Sequence, residues 1–137
     1  MPNWRDELIE AVKTKAERDA EERERHRKRV EEALTTAESA VTLGLEALRF
    51  TRDRLVDKEQ PAELSEQADA YRLKMRDLSL ALELVRDAAL VKVTFGEGKP
   101  REFDFAKDRH IAPADVEEYI GRRALEFVRA AQKGSPW

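Results

Sequence analysis

Two stretches of the chain decide the fold that we predict: VEEALTTAESAVTLGLEALRFTRDRLV, residues 30–56, and PAELSEQADAYRLKMRDLSLALELVRDAA, residues 61–89. Apolar or small residues recur at sevenfold spacing in both. In the first stretch the two rows are Leu34, Val41, Leu48 and Leu55, and Val30, Ala37, Gly44 and Thr51. In the second they are Leu64, Tyr71, Leu78 and Val85, and Ala68, Met75, Leu82 and Ala89. This spacing is typical of a coiled coil, and the short polar link between the stretches predicts an antiparallel helical hairpin.

The first helix of that hairpin is predicted to be much longer than the second. Asn3 is a suitable N-cap, and no proline lies between it and Asp57, so the pattern permits one helix of about 50 residues. A break near Thr35 or at Gly44 remains open. The shorter partner, from Pro61 to Ala89, pairs with the first helix only as far as about residue 30. Residues 1–29 are therefore expected to form a charged helical extension.

The pattern changes after residue 89 and again after residue 112. Residues 91–95 and 103–105 alternate apolar with polar side chains around a Gly-Glu-Gly-Lys-Pro turn, which predicts a two-stranded β-hairpin. A third, amphipathic helix follows Pro113, with its apolar side formed by Val116, Ile120, Ala124, Phe127 or Val128, and Ala131. The expected fold is mainly α, with a single domain at residues 30–134 and a loose tail at 135–137.

Composition excludes several functional classes. The chain has 137 residues, 40% of them charged, with 26 Lys and Arg against 29 Asp and Glu, so its net charge of -3 gives no bulk attraction to nucleic acid. Cysteine is absent, which excludes disulfides, thiolate metal sites and cysteine nucleophiles. Neither a membrane-spanning apolar run nor a signal-peptide pattern is seen, so we expect a cytoplasmic protein with no membrane partner.

Several apolar residues lie outside the predicted seams and need another surface to cover them. They are Trp4, Leu8, Ile9 and Val12 in the extension, Leu43, Leu45 and Phe50 in the first helix, and Phe103 and Phe105 in the β-hairpin. We predict that these side chains contact a second copy of the chain or another protein. A homodimer is the expected assembly, because symmetric dimers are the commonest soluble oligomers.

The charged segment ERDAEERERHRKR, residues 17–29, contains the densest basic cluster. Its members are Arg23, Arg25, Arg27, Lys28 and Arg29, and such a cluster can contact phosphates. Interspersed glutamates work against that role, and no aromatic residue is present in the segment for base stacking. A solvated helix is the preferred interpretation.

Candidate catalytic and metal residues are few. Asp104, Asp108 and His110 combine ligand types that can bind a divalent metal, but their spacing matches no strong motif and an ordinary charged loop is the preferred interpretation. No serine lies in a nucleophile elbow. We therefore predict no catalytic residues, no metal site and no cofactor.

These observations favour a non-enzymatic structural or adaptor protein. It is expected to self-associate through its coiled-coil helices and to engage a protein partner by helix packing or strand addition. The alternative is an oligomeric nucleic-acid-associated protein of the packaging or nucleoid type, in which several copies of the weak basic cluster provide avidity.

Overall fold

A computed structural model describes residues 3–133, which form three helices and a five-stranded antiparallel sheet. The strands follow one another as a meander, so each pairs with its neighbour in sequence. The elements are α1 (Trp4–Ala11), α2 (Lys15–Asp57), β1 (Glu63–Gln67), β2 (Ala70–Met75), β3 (Leu78–Val85), a 3-10 turn (Arg86–Ala88), β4 (Leu90–Phe95), β5 (Arg101–Asp104) and α3 (Pro113–Lys133).

The predicted helical hairpin is wrong, because the stretch at residues 61–89 forms three strands and no helix. Its apolar side chains do not line a coiled-coil seam. Instead, Leu80, Leu82 and Leu84 alternate along β3 on one face of the sheet, with Ser79, Ala81 and Glu83 on the other. The mainly α fold class is corrected accordingly to an α+β arrangement of two layers.

The predicted two-stranded β-hairpin is also wrong as an account of the sheet. Strands do occur where it was predicted, as β4 and β5, but they are two of five. The register places Val91 opposite both Leu84 and Phe103, so the apolar face runs across neighbouring strands. The opposite face is polar, with Lys92 between Glu83 and Glu102.

Helices α2 and α3 pack together on the apolar face of the sheet. Gly44 shows how close this packing is, since a Cβ atom built on it would lie 2.6 Å from the Cδ1 of Ile120 and 3.0 Å from a Cδ of Leu82. Helix α2 is continuous through Gly44, so the glycine permits close approach without a break. The expected apolar side of α3 is the buried one, with Val116, Ile120, Ala124, Phe127 and Ala131 in the core.

The N-terminal part of the described chain stands apart from this core. A break at Lys13 and Thr14 separates α1 from α2, and Thr14 caps α2 by accepting a hydrogen bond from the Glu17 amide at 3.1 Å. Among the described residues, the first buried one is Val30. We call residues 3–29 the arm and residues 30–133 the domain. The predicted helix end near Gly134 and the tail at 135–137 lie outside the described residues.

Candidate interaction surfaces

An apolar groove lies between α2 and α3. Its volume is about 1540 Å³, and it is bordered by residues 43–58, at the end of α2, and by residues 114–132 of α3. Leu43, Ala47 and Phe50 line it from α2, and Leu125 and Val128 line it from α3. Phe50 is 65% exposed and Leu125 is 55% exposed, so the groove presents large apolar side chains to solvent.

Charged residues form the rim of this groove. The Arg54 guanidinium lies over the Phe50 ring, 5.6 Å from its centroid, and Arg122 pairs with Glu118 at 3.0 Å. Lys58 and Arg129 also border the groove and form no ion pair with another residue of the described chain. An apolar floor with a charged rim is the usual anatomy of a protein-binding surface.

A second apolar surface, which we call the α1 patch, lies on the first helix. Asn3 caps this helix by accepting a hydrogen bond from the Asp6 amide at 2.9 Å, which fixes its start. The patch consists of Trp4, Leu8, Ile9 and Val12, which are 66%, 53%, 62% and 68% exposed. All four were predicted as contact residues, and the structure places three of them on α1 and Val12 at its C-cap.

The connection between α1 and α2, which we call the elbow, is held by polar contacts. The Lys13 ammonium lies 2.8 Å from a carboxylate oxygen of Glu10 and 2.7 Å from one of Glu21, while Arg18 donates to the Glu10 carbonyl at 3.3 Å. Hydrogen bonds to Glu10 and Glu21 raise the pKa of Lys13. The hydrogen bond from Lys13 in turn lowers the pKa of the Glu10 carboxyl.

The basic cluster of the arm is largely paired within the helix. Arg27 contacts Glu24 at 2.6 Å and also pairs with Glu31. The hydrogen bond between Arg27 and Glu24 lowers the pKa of the Glu24 carboxyl and raises the pKa of Arg27.

A neighbouring glutamate, Glu22, pairs with two further arginines. It lies 3.3 Å from Arg25 and 3.6 Å from Arg29. These ion pairs reduce the positive charge that the cluster presents to a phosphate backbone. Arg23 and Lys28, the other members, are exposed on the same helix.

Two predicted contact residues, Phe103 and Phe105, prove to be core residues. They are 5% and 4% exposed, and the Phe103 ring packs edge-on against Tyr119 with the ring centroids 5.6 Å apart. The chain itself therefore covers the apolar side of β5. Leu43 and Leu45 are half-buried, and of these Leu43 lines the groove.

The carboxylates that suggested a metal site instead hold the loop after β5. Asp104 accepts hydrogen bonds from the amides of Ala106 and Lys107 at 3.2 and 3.1 Å, and Asp108 accepts from the His110 amide at 2.9 Å. Within residues 3–133, no three His, Cys, Asp or Glu side chains are grouped closely enough to hold a metal ion.

Sequence reasoning missed Leu125, which completes the groove from the α3 side. It lies off the buried row of α3, and an isolated apolar residue in that position is the signal that could have identified it.

In comparisons with known proteins, no family model, curated protein or solved structure matches this chain. None of the helices in the described chain is both long and apolar enough to cross a lipid bilayer.

Proposed function

We propose that this chain is a self-associating structural or adaptor protein in which α1 of one copy docks into the α2–α3 groove of a second copy. One observation carries the proposal: a single chain exposes both a short apolar helix at the end of an arm and an open apolar groove on its domain. An amphipathic helix lying in an apolar groove is a common mode of protein recognition. The predicted association through coiled-coil helices is replaced by this contact.

The length of α2 prevents α1 from reaching the groove of its own chain. Leu43, where the groove begins, lies about 40 Å along the continuous helix from Lys15, at 1.5 Å per residue. Helix α1 and its three-residue link span at most about 22 Å. Because the arm cannot fold back far enough, an α1 helix that occupies this groove must come from another molecule.

The α1 patch and the α2–α3 groove are chemically complementary. Trp4, Leu8 and Ile9 supply large apolar anchors, and aromatic side chains are enriched at the energetically important centres of interfaces. The first turn of α1 carries Asp6 and Glu7, which can pair with the free cations on the groove rim.

A twofold dimer is the simplest assembly with this contact. Association costs at least about 4 kcal/mol in lost freedom, and burial of one large apolar side chain returns about 1.5–3 kcal/mol. Two reciprocal arm–groove contacts bury twice the surface of a single contact, whereas the freedom lost on association is lost only once per dimer. A closed pair also leaves no groove open, whereas a one-way contact would continue into a filament.

Sedimentation velocity of the full chain tests the proposal. Wild type is expected to sediment as a dimer at micromolar concentrations, and either Leu8→Asp in the arm or Leu125→Asp in the groove is expected to give monomers. Val56→Asp is the matched control, because Val56 is 50% exposed on α2 but does not line the groove. A monomeric wild type, or equal loss of dimer in the control, would contradict the proposal.

Mixing the two monomeric variants distinguishes this contact from other dimer interfaces. The Leu8→Asp chain keeps an intact groove, and the Leu125→Asp chain keeps an intact α1. Their mixture is therefore expected to recover one of the two contacts and to form a weaker heterodimer. If the mixture stays monomeric at tens of micromolar, α1 does not dock into the groove.

A further inference from the structure

A separate cleft lies where the arm meets the domain. It has a volume of about 570 Å³ and is lined by His26 and Arg29 of α2 and by residues 106–110, the loop between β5 and α3. The chain contains two histidines, and the fold brings both of them, His26 and His110, to this cleft from distant parts of the sequence.

The cleft is positively charged on a chain whose net charge is negative. Arg29, Lys107 and Arg109 contribute three cations, against the single carboxylate of Asp108. Lys107 and Arg109 form no ion pair with another residue in the described ranges. Arg29 lies 3.6 Å from a carboxylate oxygen of Glu22, and that carboxylate also pairs with Arg25. Two of the three cations that line the cleft therefore have no ion-pair partner among the described residues.

The loop that carries most of these groups is fixed by its own hydrogen bonds. Asp104 accepts from the backbone amide of Lys107, and Asp108 accepts from that of His110. In each aspartate the Oδ1 oxygen accepts from backbone amides, and neither carboxylate forms an ion pair with Lys107, Arg109 or His110, so these side chains remain available as donors. Guanidinium, ammonium and imidazole N–H groups together match the oxygens of a phosphate group.

We propose that this cleft binds the dianionic phosphate group of a small molecule, either as inorganic phosphate or as a phosphate monoester. The donors are gathered in one compact cleft, which suits a single phosphate. A nucleic acid would require a row of cations along its backbone, and no phenylalanine, tyrosine or tryptophan lines the cleft to stack on a base.

The two imidazoles provide the test. In ¹H–¹⁵N NMR spectra of the full chain, the two histidine signals are assigned with His26→Gln and His110→Gln. Inorganic phosphate is then added to wild type at constant ionic strength, with sodium chloride as the reference salt, and phosphoserine is added in a parallel titration. Both imidazole signals are expected to shift together and to saturate with one affinity, and the tighter of the two titrations identifies free or esterified phosphate.

The expected loss in a variant makes the test specific. Arg109→Gln is expected to weaken phosphate binding by about five- to tenfold, the order that one typical hydrogen bond contributes on balance. Arg72→Gln, which removes the same charge from the outer face of the sheet, is the control and should leave the affinity unchanged.

Three outcomes would overturn the proposal: no saturation, equal shifts in sodium chloride, or a shift of only one imidazole. Tighter binding of a DNA duplex than of phosphate would also overturn it, in favour of a nucleic-acid surface. Because Arg109 and His110 lie outside α1 and the groove, these results do not depend on self-association.

Discussion

The arm and the domain of this chain are stabilised by different forces. The domain buries apolar side chains from both helices and from the sheet, as Leu48, Leu82 and Ile120 show with exposures of 0–1%. In the described arm no side chain is buried, and the contacts are ion pairs between exposed groups, such as Arg27 with Glu24. Burial is the main source of folding stability, whereas exposed ion pairs contribute little and weaken in salt.

Residues that specify the fold and residues that can contact a partner are therefore distributed differently in this chain. Domain residues are constrained by their neighbours, so most of their apolar surface has been used in packing. The arm has no core of its own, and its apolar side chains remain exposed at α1. We therefore expect mutations in the core of the domain to change folding, and mutations of exposed apolar residues in α1 or in the groove to change association.

The largest predicted effect is on the core side of α3. Phe127 is 0% exposed, so Phe127→Ala is expected to lower the free energy of unfolding by about 3–5 kcal/mol through lost burial and a cavity. Urea denaturation followed by circular dichroism measures this. Val56→Ala, at a half-exposed position of α2, should change the value by less than about 0.5 kcal/mol. Similar losses in both variants would contradict the assignment of the core.

A smaller effect is predicted where α2 approaches α3 most closely. Gly44→Leu is expected to lower the free energy of unfolding by about 1–3 kcal/mol, because its side chain would overlap Ile120 and Leu82. The control is Gly121→Ala on α3, where a Cβ meets nothing within 4 Å. There the gain in helix propensity is unopposed and should raise stability by up to about 1 kcal/mol. An unchanged or raised stability in Gly44→Leu would mean that the helices do not touch at this point.

The sevenfold pattern of the second stretch misled the prediction for a physical reason. Strands β1, β2 and β3 begin at residues 63, 70 and 78, so a strand and its turn together repeat at nearly the heptad interval. Leu64, Tyr71 and Leu78 thus recur sevenfold while lying on three separate strands. The competing signal was present in residues 78–85, LSLALELV, where leucine occupies every second position, a spacing typical of a strand.

The first two turns of this meander also lack sequence markers that would have indicated strands. The β1–β2 and β2–β3 turns place Asp69 and Arg76 at φ values of 61° and 58°, a conformation usually taken by glycine. Without glycine or proline, the sequence lacks the usual markers of a hairpin turn. By contrast, the β4–β5 turn contains Gly96 at φ 60°, and those two strands were recognisable from the sequence.

The sequence indicates a candidate surface only where a local pattern is sufficient. The α1 patch follows from helical spacing within nine residues, and the structure exposes all four of its members. The groove requires knowing that α3 lies beside α2, a contact between residues far apart in sequence. The cleft at His26 and His110 likewise depends on the path of the loop after β5. No local periodicity carries such information.

The smallest predicted effect lies at the elbow, where the arm depends on polar contacts alone. Lys13→Gln is expected to leave the unfolding of the domain unchanged but to speed hydrogen exchange at residues 12–21, because the contacts to Glu10 and Glu21 are lost. Lys15→Gln is the control, since Lys15 forms no ion pair with the rest of the described chain.

The stabilisation of the elbow by Glu10 is expected to depend on pH. The pKa of Glu10 is lowered, so its contribution to the stability of the elbow is present at neutral pH and is lost as the pH falls through that lowered value. The difference between wild type and Lys13→Gln should therefore disappear once the pH has fallen through the lowered pKa of Glu10, which lies below the ordinary range of a glutamate. A difference that persisted in acid would mean that packing of α1, and not this carboxylate, holds the elbow.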